Sequence, residues 1–286
     1  MKLIQTDPKL IFAHRLKDRE PMSAIIASLF LLAAPNISEA IKDRNGFLIH
    51  DVESEYQKNR TEIRVLLPDM IEKGIRFPVI YVLPVEAKNE NRYGDGLLEI
   101  KKLDQHNKRK AIFVAPTFSH LPWYADHPTD SSIRQETYFL KVVVPFVEKT
   151  YPAIAEKQGR LLLGFSKSGC GAWSLLLRHP DIFGKAVAWD APVLLDNFNR
   201  YGSGDIYGTP ENFEKYRIVK LLERAADLGR EKRLILLGMG NFREQHEKMH
   251  VLLEGKKIPH AYIDGPVRKH DWHSGWVAEG MKLLMD

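Results

Sequence analysis

Two kinds of segment alternate along most of the chain. Short, nearly continuous apolar runs are typical of strands that are buried on both faces, and they occur as "FPVIYVLP", "AIFVAP", "GRLLLGFS", "AVAWDAP" and "RLILLGMG". Segments between them, such as "GLLEIKKLDQ" and "REQHEKMHVLLEGK", repeat apolar residues at helical spacing. Alternating strands and helices predict an α/β fold with a mostly parallel central sheet and helices on both faces.

The two ends of this pattern differ from its middle. "FLIHDVESEY" and "TEIRVLLPD" alternate apolar and polar residues and predict an opening antiparallel pair. Residues 131–151 predict one long helix, which Pro145 is expected to kink. "HAYIDG" and "SGWVAEGMKLLM" predict a last strand and a closing helix. Because no Pro-, Gly- or Ser-rich linker divides the pattern, residues 41–286 are expected to form a single domain.

The N-terminal region has the features of an export signal. Ala24 to Ala34 are apolar, but eleven residues are too few for a membrane-spanning helix, which needs about 20. "PN" and then Ser38-Glu39-Ala40 follow, with small residues at the positions of a signal-peptidase site. Residues 1–40 are therefore predicted to be an extension plus signal peptide, with Met22 as an alternative start. The protein is expected to be secreted or periplasmic, without a stable membrane anchor; a buried N-terminal helix in a cytoplasmic protein is the alternative.

Composition narrows the classes of function. The 286 residues are 44% hydrophobic and 28% charged, as in a globular protein. The formal net charge is +5, but the basic residues are scattered, which argues against a nucleic-acid partner. A single cysteine, Cys170, excludes an intrachain disulfide and paired cysteine ligands for zinc. We expect Cys170 to be a packing residue because a neighbouring serine is a better candidate nucleophile.

That serine lies in "LLLGFSKSGCGAW", where Gly164 and Gly169 bracket Ser166. Ser168 replaces the second glycine of the motif G-x-S-x-G. A serine on a tight turn between a strand and a helix is the nucleophile of α/β-hydrolases, and the next backbone amide stabilises an oxyanion. The pattern predicts Ser166 as the nucleophile and the Lys167 amide as one oxyanion donor. The alternative is a structural glycine-rich turn.

Residues 161–192, "LLLGFSKSGCGAWSLLLRHPDIFGKAVAWDAP", resemble the nucleophile region of the putative-esterase family of α/β-hydrolases. This family includes esterase D-type S-formylglutathione hydrolases, feruloyl and enterochelin esterases and mycolyltransferases. "FPVIYVLP" and the late "HDW" extend the resemblance over roughly residues 60–286.

The resemblance implies the α/β-hydrolase fold and serine-dependent hydrolysis of carboxylic esters through an acyl-enzyme, without metal or organic cofactor. It implies a small-molecule or carbohydrate-linked ester as substrate and leaves its identity and the oligomeric state open. Acyl transfer by the same residues, or a non-catalytic or weakened binding protein, remain alternatives.

A serine nucleophile needs a general base, and histidine suits neutral pH. His270 in "RKHDWHSGW" lies between the last strand and the last helix, where the family's histidine falls. His273 is its competitor. Asp271 and His273 have the spacing of a metal pair, but no third candidate ligand lies nearby in the sequence, so no metal is predicted.

The acid that orients the histidine departs from the family pattern. The family position follows "RLILLGMG" and corresponds to Asn241, which can accept a hydrogen bond but cannot stabilise an imidazolium by charge. Asp190 ends the strand "AVAWD" at the expected catalytic edge of the sheet. We predict Asp190 as the acid, with Asn241 as a neutral alternative and Asp264 and Glu244 as runners-up.

A second oxyanion donor is expected in the loop after "VIYVL". Relatives commonly have His-Gly there, whereas this chain has Pro84-Val85-Glu86. Because proline has no N–H group, the donor must be Val85 or Glu86.

The substrate pocket is expected in "HLPWYADHPTDSSIRQ", since ligands of open α/β sheets bind at the carboxyl edge of the strands. Trp123, Tyr124 and Asp126 are its candidate residues, together with Trp272. The alternative is a packed loop whose aromatic rings fill the core.

Overall fold

A computed structural model describes residues 34–238 and 240–286. Met22 and the apolar run, except Ala34 at its end, lie outside the described residues, so the signal peptide stays a prediction. The strands are β1 (Asn36–Ile37), β2 (Ile41–Lys42), β3 (Leu48–Glu53), β4 (Thr61–Leu66), β5 (Val79–Val82), β6 (Ile112–Pro116), β7 (Arg160–Phe165), β8 (Ala186–Trp189), β9 (Leu234–Leu237) and β10 (His260–Ile263).

These strands form a central sheet in the order β1-β3-β4-β6-β5-β7-β8-β9-β10, with β2 also paired to β3. The predicted opening pair, β3 and β4, is antiparallel, and β4 pairs antiparallel with β6. From β6 through β5, β7, β8 and β9 to β10 all pairs are parallel. The predicted α/β architecture is therefore confirmed, and the carboxyl ends of β5, β7 and β8 meet at one edge.

Helices cover both faces of the sheet. They are α1 (Gly96–Lys102), α2 (Gln105–Lys108), α3 (Gln135–Tyr138), α4 (Val144–Thr150), α5 (Ser166–Arg178), α6 (Gly204–Tyr207), α7 (Pro210–Glu214), α8 (Ile218–Leu221), α9 (Arg243–Gly255) and α10 (Trp276–Met285). Among the described residues, no helix is both long enough and apolar enough to cross a membrane.

The segment predicted as a helix over 131–151 is helical from Gln135 to Thr150, but its hydrogen-bonding pattern changes along this range. A π-helical turn over Phe139–Val143 separates α3 from α4, and Pro145 lies in the first turn of α4. Because proline has no N–H group to donate to the preceding turn, the π-helical turn directly before α4 accommodates Pro145 without ending the helical backbone. Residues 215–228, "KYRIVKLLERAADL", also have helical spacing, but here the short α8 passes into a 3₁₀ helix over Leu222–Leu228.

Alternating residues of the central strands pack into two core layers. In β5, Val79 and Tyr81 face the layer that contains α5, while Ile80 and Val82 face the layer that contains α1 and α10. The strands are fully buried on both faces, which explains why their apolar runs are nearly continuous.

The predicted domain boundary after Ala40 falls between β1 and β2. Residues Asn36–Ile37 pair with Val52 and Glu53 of β3. The Ser38 carbonyl is 2.8 Å from Nδ1 of His50, a nearly buried side chain. The segment before Ala40 thus contributes to the edge of the sheet, and the boundary itself stays a prediction.

The turn between β7 and α5 holds Ser166 in a left-handed conformation, with φ of 52°. Such a conformation is uncommon for a residue with a side chain and requires close support. A Cβ atom on Gly164 would lie 2.2 Å from the Ser168 carbonyl oxygen, and one on Gly169 would lie 2.7 Å from Cβ of Ala191. Both glycines are therefore needed for the close approach of strand and helix.

Ser168 does more than fit the space of the missing glycine. Its Oγ donates to the Phe165 carbonyl oxygen (2.8 Å) and accepts from the Phe165 N–H group (3.0 Å), and the residue is fully buried. Both polar groups of Phe165, the last residue of β7, are thereby satisfied at the turn. The serine side chain stabilises the turn that a glycine at this position would leave without these bonds.

We predict that Ser168→Ala lowers the free energy of unfolding by about 1–3 kcal/mol, because it leaves the buried Phe165 N–H group without an acceptor. Urea unfolding followed by circular dichroism measures this. Ser174→Ala is the matched control: Ser174 is also buried in α5, but its Oγ has no hydrogen-bond partner among the described residues, so its loss costs little. Equal destabilisation by both substitutions would contradict the role of Ser168.

Candidate active site

His270 joins the predicted nucleophile and the predicted acid. Its Nε2 lies 3.0 Å from Ser166 Oγ, and its Nδ1 lies 2.5 Å from Asp190 Oδ2. A carboxylate only accepts, so Nδ1 carries the proton and Nε2 presents its lone pair to the serine hydroxyl. This tautomer is the one in which the imidazole can take up the hydroxyl proton.

Asp190 follows β8 directly and is fully buried. Its Oδ1 accepts the Phe242 N–H group at 2.6 Å, while Oδ2 faces His270. A Cβ atom on Gly240 would lie 2.0 Å from Asp190 Oδ2, so only glycine lets the loop after β9 pass this close to the carboxylate. Each oxygen of the buried carboxylate thus has a hydrogen-bond donor, as burial of a charge requires.

A second buried histidine supports the loop after β8, which begins with Asp190. His246 of α9 is fully buried, and its Nε2 accepts the Ala191 N–H group at 2.8 Å. Burial lowers the pKa of His246 to about 4, although the nearby Ala191 backbone and Asp190 act in the opposite direction. His246 is therefore neutral at physiological pH and fixes the residue that follows Asp190.

Four aromatic rings surround the His270 imidazole. Ring-centroid distances are 4.6 Å to Phe165, 5.4 Å to Tyr93, 5.8 Å to Phe242 and 6.3 Å to Trp189. They leave only 15% of the His270 side chain exposed. The sequence analysis did not identify Tyr93 and Phe242 as residues of the site. The one signal in the sequence is that each is a lone aromatic residue in a polar loop that contains glycine.

The alternative acids and base lie elsewhere. Asn241 is exposed, and its neighbour Phe242 supplies a backbone amide to Asp190 instead. Asp264 pairs with Arg243 and Glu244 with Lys248, both near the surface. His273 Nδ1 is 2.7 Å from Oε2 of the buried Glu99. Asp190 therefore takes the place that Asn241 would have had, and His270 rather than His273 meets Ser166.

The predicted oxyanion donors lie on two adjacent strand ends. β5 and β7 are parallel neighbours, and the Leu83 N–H group donates to the Leu163 carbonyl at 2.9 Å. Lys167 is in the first turn of α5, where backbone N–H groups have no intrahelical acceptor. Within the described residues, the amides of Val85 and Glu86 also donate no hydrogen bond. None of the three amides therefore has an acceptor among the described residues, as the prediction of oxyanion donors requires.

Charged side chains flank Ser166. Burial lowers the pKa of Lys167; the Glu86 carboxylate acts in the opposite direction, and the Arg92 cation adds to the lowering. Lys167 Nζ and Arg92 Cζ lie 6.0 Å and 5.0 Å from the centroid of the Tyr93 ring. Two cationic side chains thus lie over the Tyr93 ring, which itself contacts the His270 ring.

Two of the three predicted pocket residues in the 120–135 loop belong to the core instead, and the third, Asp126, is half-buried. Trp123 and Tyr124 are 1% exposed. The Asp126 carboxylate accepts from the Thr137 amide and from Arg134. The packed-loop alternative is the arrangement observed, because contacts with residues distant in sequence, including Gly171 against the Tyr124 ring, hold these side chains inside.

Tyr124 nevertheless acts near the site. Its hydroxyl donates to the Pro84 carbonyl oxygen at 2.7 Å and so holds the loop that carries Val85 and Glu86. Trp272 is also buried at 2%, but it borders a cleft together with Val85, Glu86, Asp95 and Gly96. Among the four predicted pocket residues, Trp272 alone borders a cleft beside the loop of the second oxyanion donor.

The remaining predicted groups have structural partners. The Asp271 carboxylate accepts the His273 amide at 2.8 Å. Cys170 is buried in α5, and burial raises the pKa of its thiol. Among the described residues, neither the Asp271 carboxylate nor the Cys170 thiol takes part in the hydrogen bonds that join Ser166, His270 and Asp190.

Curated relatives support an esterase relationship. Esterase Rv1288 of Mycobacterium tuberculosis (strain ATCC 25618 / H37Rv) and Esterase MT1326 of strain CDC 1551 / Oshkosh are each 24% identical to this chain over 244 residues. The match covers 71% of this chain but 53% of each relative, so the chain spans about half their length.

Solved structures share the fold. A ferulic acid esterase is 20% identical to this chain, and the match covers 88% of this chain and 95% of the esterase chain with a TM-score of 0.64. The fluorophosphonate-binding serine hydrolase F of Staphylococcus aureus is 15% identical, with coverages of 84% and 98% and a TM-score of 0.68. The S-formylglutathione hydrolase of Staphylococcus aureus is 14% identical, with coverages of 89% and 100% and a TM-score of 0.63.

The chain also matches a family model. A sequence model described as Putative esterase matches residues 54–253. This range includes Ser166 and Asp190, and the fold places His270, which lies beyond it, against both. With its α/β-hydrolase fold, the chain belongs to the Putative esterase family.

Proposed function

We propose that this protein is a serine-dependent carboxylic-ester hydrolase that works through an acyl-enzyme. The observation that carries the proposal is the continuous contact from Ser166 Oγ through His270 to the buried Asp190 carboxylate. The family assignment and the available backbone amides of Lys167, Val85 and Glu86 support it. A serine, a base and an orienting acid with a facing oxyanion site form the minimum set for acyl transfer.

In the first half-reaction, Ser166 Oγ attacks the ester carbonyl carbon while His270 Nε2 takes the hydroxyl proton. The carbonyl oxygen becomes an oxyanion that accepts from the Lys167 amide and from Val85 or Glu86. Asp190 stabilises the imidazolium that forms. When the carbon–oxygen bond to the alcohol breaks, His270 returns its proton to the leaving oxygen and the acyl group stays on Ser166.

In the second half-reaction, His270 Nε2 takes a proton from the water that attacks the acyl carbonyl carbon. When the bond between this carbon and Ser166 Oγ breaks, His270 returns the proton to Ser166 and the carboxylic acid is released. Acyl transfer to another hydroxyl acceptor would use the same residues. A non-catalytic binding protein is disfavoured because a serine–histidine separation of 3.0 Å is within hydrogen-bond reach. For the substrate we propose a small-molecule or carbohydrate-linked ester, in keeping with the ferulic acid esterase among the structural neighbours.

A fluorophosphonate probe is expected to label Ser166, and Ser166→Ala is expected to abolish labelling and to lower kcat for short p-nitrophenyl esters by at least about a thousandfold. Intact-mass and peptide mass spectrometry identify the labelled residue. Cys170→Ala is the control and should keep both labelling and turnover. Labelling that persists in Ser166→Ala would refute the assignment of the nucleophile.

Asp190→Asn is expected to lower kcat by about 10³–10⁴-fold, because an amide can hold the wrong imidazole tautomer and cannot stabilise the imidazolium by charge. Asp264→Asn makes the same chemical change in a surface residue paired with Arg243 and should retain nearly full kcat. Steady-state kinetics on one ester compares them. A larger loss in Asp264→Asn than in Asp190→Asn would assign the acid elsewhere.

We also propose export, which rests on the apolar run and the small residues that end at Ala40. Expression in a bacterial host followed by N-terminal sequencing of the exported protein tests it, and cleavage after Ala40 is the expected result. Retention of the whole product in the cytoplasm, with residues 1–40 intact, would oppose export.

A further inference from the structure

We propose that His250, Glu254 and His260 form a binding site for one Zn²⁺ ion that joins helix α9 to the edge strand β10. One ligand atom from each residue lies within 4.8 Å of the others. His250 and Glu254 are four residues apart on α9, so their side chains share one face of the helix. His260 is the first residue of β10.

The distances suit a tetrahedral ion after small side-chain movements. His250 Nδ1 is 2.8 Å from His260 Nε2, and His260 Nε2 is 3.7 Å from Glu254 Oε1. Zinc bonds of about 2.0–2.2 Å in tetrahedral geometry separate neighbouring ligand atoms by about 3.3–3.5 Å. Glu254 can adjust because its side chain is 67% exposed, and the same exposure leaves solvent access for a water as fourth ligand.

His260 is already oriented as a zinc ligand. Its Nδ1 lies 2.8 Å from the Ile258 carbonyl oxygen, which can only accept. The proton is therefore on Nδ1, and the lone pair of Nε2 points toward the other two residues. A ligand histidine whose second nitrogen donates to a carbonyl is a recurring feature of zinc sites. The His260 side chain is 2% exposed, so packing fixes its ring.

His250 is held by a second contact. Its ring stacks on Tyr262 with a centroid distance of 4.3 Å and an interplanar angle of 18°. Without metal, His250 Nδ1–H donates to His260 Nε2. Metal binding replaces this shared proton: His250 takes the tautomer with its proton on Nε2, and both facing nitrogens bind the ion. Two imidazoles and one carboxylate favour Zn²⁺ over Ca²⁺ or Mg²⁺, which prefer oxygen ligands.

The site lies far from Ser166. In the sheet register, His260 aligns with Leu234, Ala186 and Leu162 on successive strands. Three strand spacings amount to about 14 Å, and Leu162 lies four residues, about 13 Å, before Ser166 along β7. The ion would thus act on the structure at the opposite edge of the sheet, where it would fasten an edge strand to the last turn of α9.

The test uses the full chain after removal of metal by chelation and dialysis. Titration with Co²⁺ is expected to give a visible d–d absorption typical of four-coordinate cobalt at a stoichiometry of one, and Zn²⁺ should displace it. Zn²⁺ should also raise Tm by an amount that grows with its free concentration. His250→Gln and Glu254→Gln should each weaken Co²⁺ binding by at least about tenfold.

Two matched controls separate this site from others. Glu244→Gln alters another carboxylate of α9, one that pairs with Lys248, and should leave Co²⁺ binding unchanged. His273→Gln removes a histidine near the candidate active site and should also leave it unchanged. Absence of the d–d band, binding that survives His250→Gln and Glu254→Gln, or binding lost in His273→Gln would each overturn the proposal. None of these readouts depends on esterase activity.

Discussion

The burial of one carboxylate, that of Asp190, determines how the rest of the candidate site is arranged. A fully buried charge is tolerated only when each of its oxygens has a strong donor. Here the donors are the His270 ring and the Phe242 amide. To supply the second, the loop after β9 must approach so closely that residue 240 has no room for a Cβ atom.

The consequences of this constraint extend to α9 and to the loop after β8. Phe242 immediately precedes α9, so the amide that satisfies Asp190 also sets where the helix begins. One helical turn later, His246 accepts the amide of Ala191. The acid is thus held from its own strand, from the next loop and from the helix that follows, while aromatic rings exclude most of the solvent from the histidine.

Local patterns were enough to predict the sheet and the residues at its carboxyl edge. Ser166 and Asp190 directly follow buried strands, and parallel neighbours bring such positions together, so strand order and register bring them within reach of one histidine. From the sequence, Asn241 could be considered as the residue that orients His270 only because of its position in the chain. In the structure, the burial of Asp190 and the close approach of Gly240 to its carboxylate determine which side chain reaches His270.

Other features depended on contacts that the sequence does not display. An aromatic residue such as Trp123 or Tyr124 suits a pocket wall and a core equally well, and only packing against distant residues distinguishes the two. Tyr93 and Phe242 lie in irregular loops where no periodicity indicates direction. β1 and β2 have two residues each, which is too short for an alternation of apolar and polar residues to be recognised. The π-helical turn before Pro145 could not be predicted either, because the apolar residues keep their helical spacing through it.

The hydrogen bond from Tyr124 to the Pro84 carbonyl has an electronic consequence. The carbonyl of Pro84 and the N–H group of Val85 belong to one peptide unit, and a donor on the carbonyl oxygen draws electron density through that unit and makes its N–H group more acidic. Glu86 receives no such assistance from this bond, since its N–H group belongs to the next peptide unit. The buried phenol of Tyr124 therefore makes the Val85 N–H group, but not that of Glu86, a stronger hydrogen-bond donor.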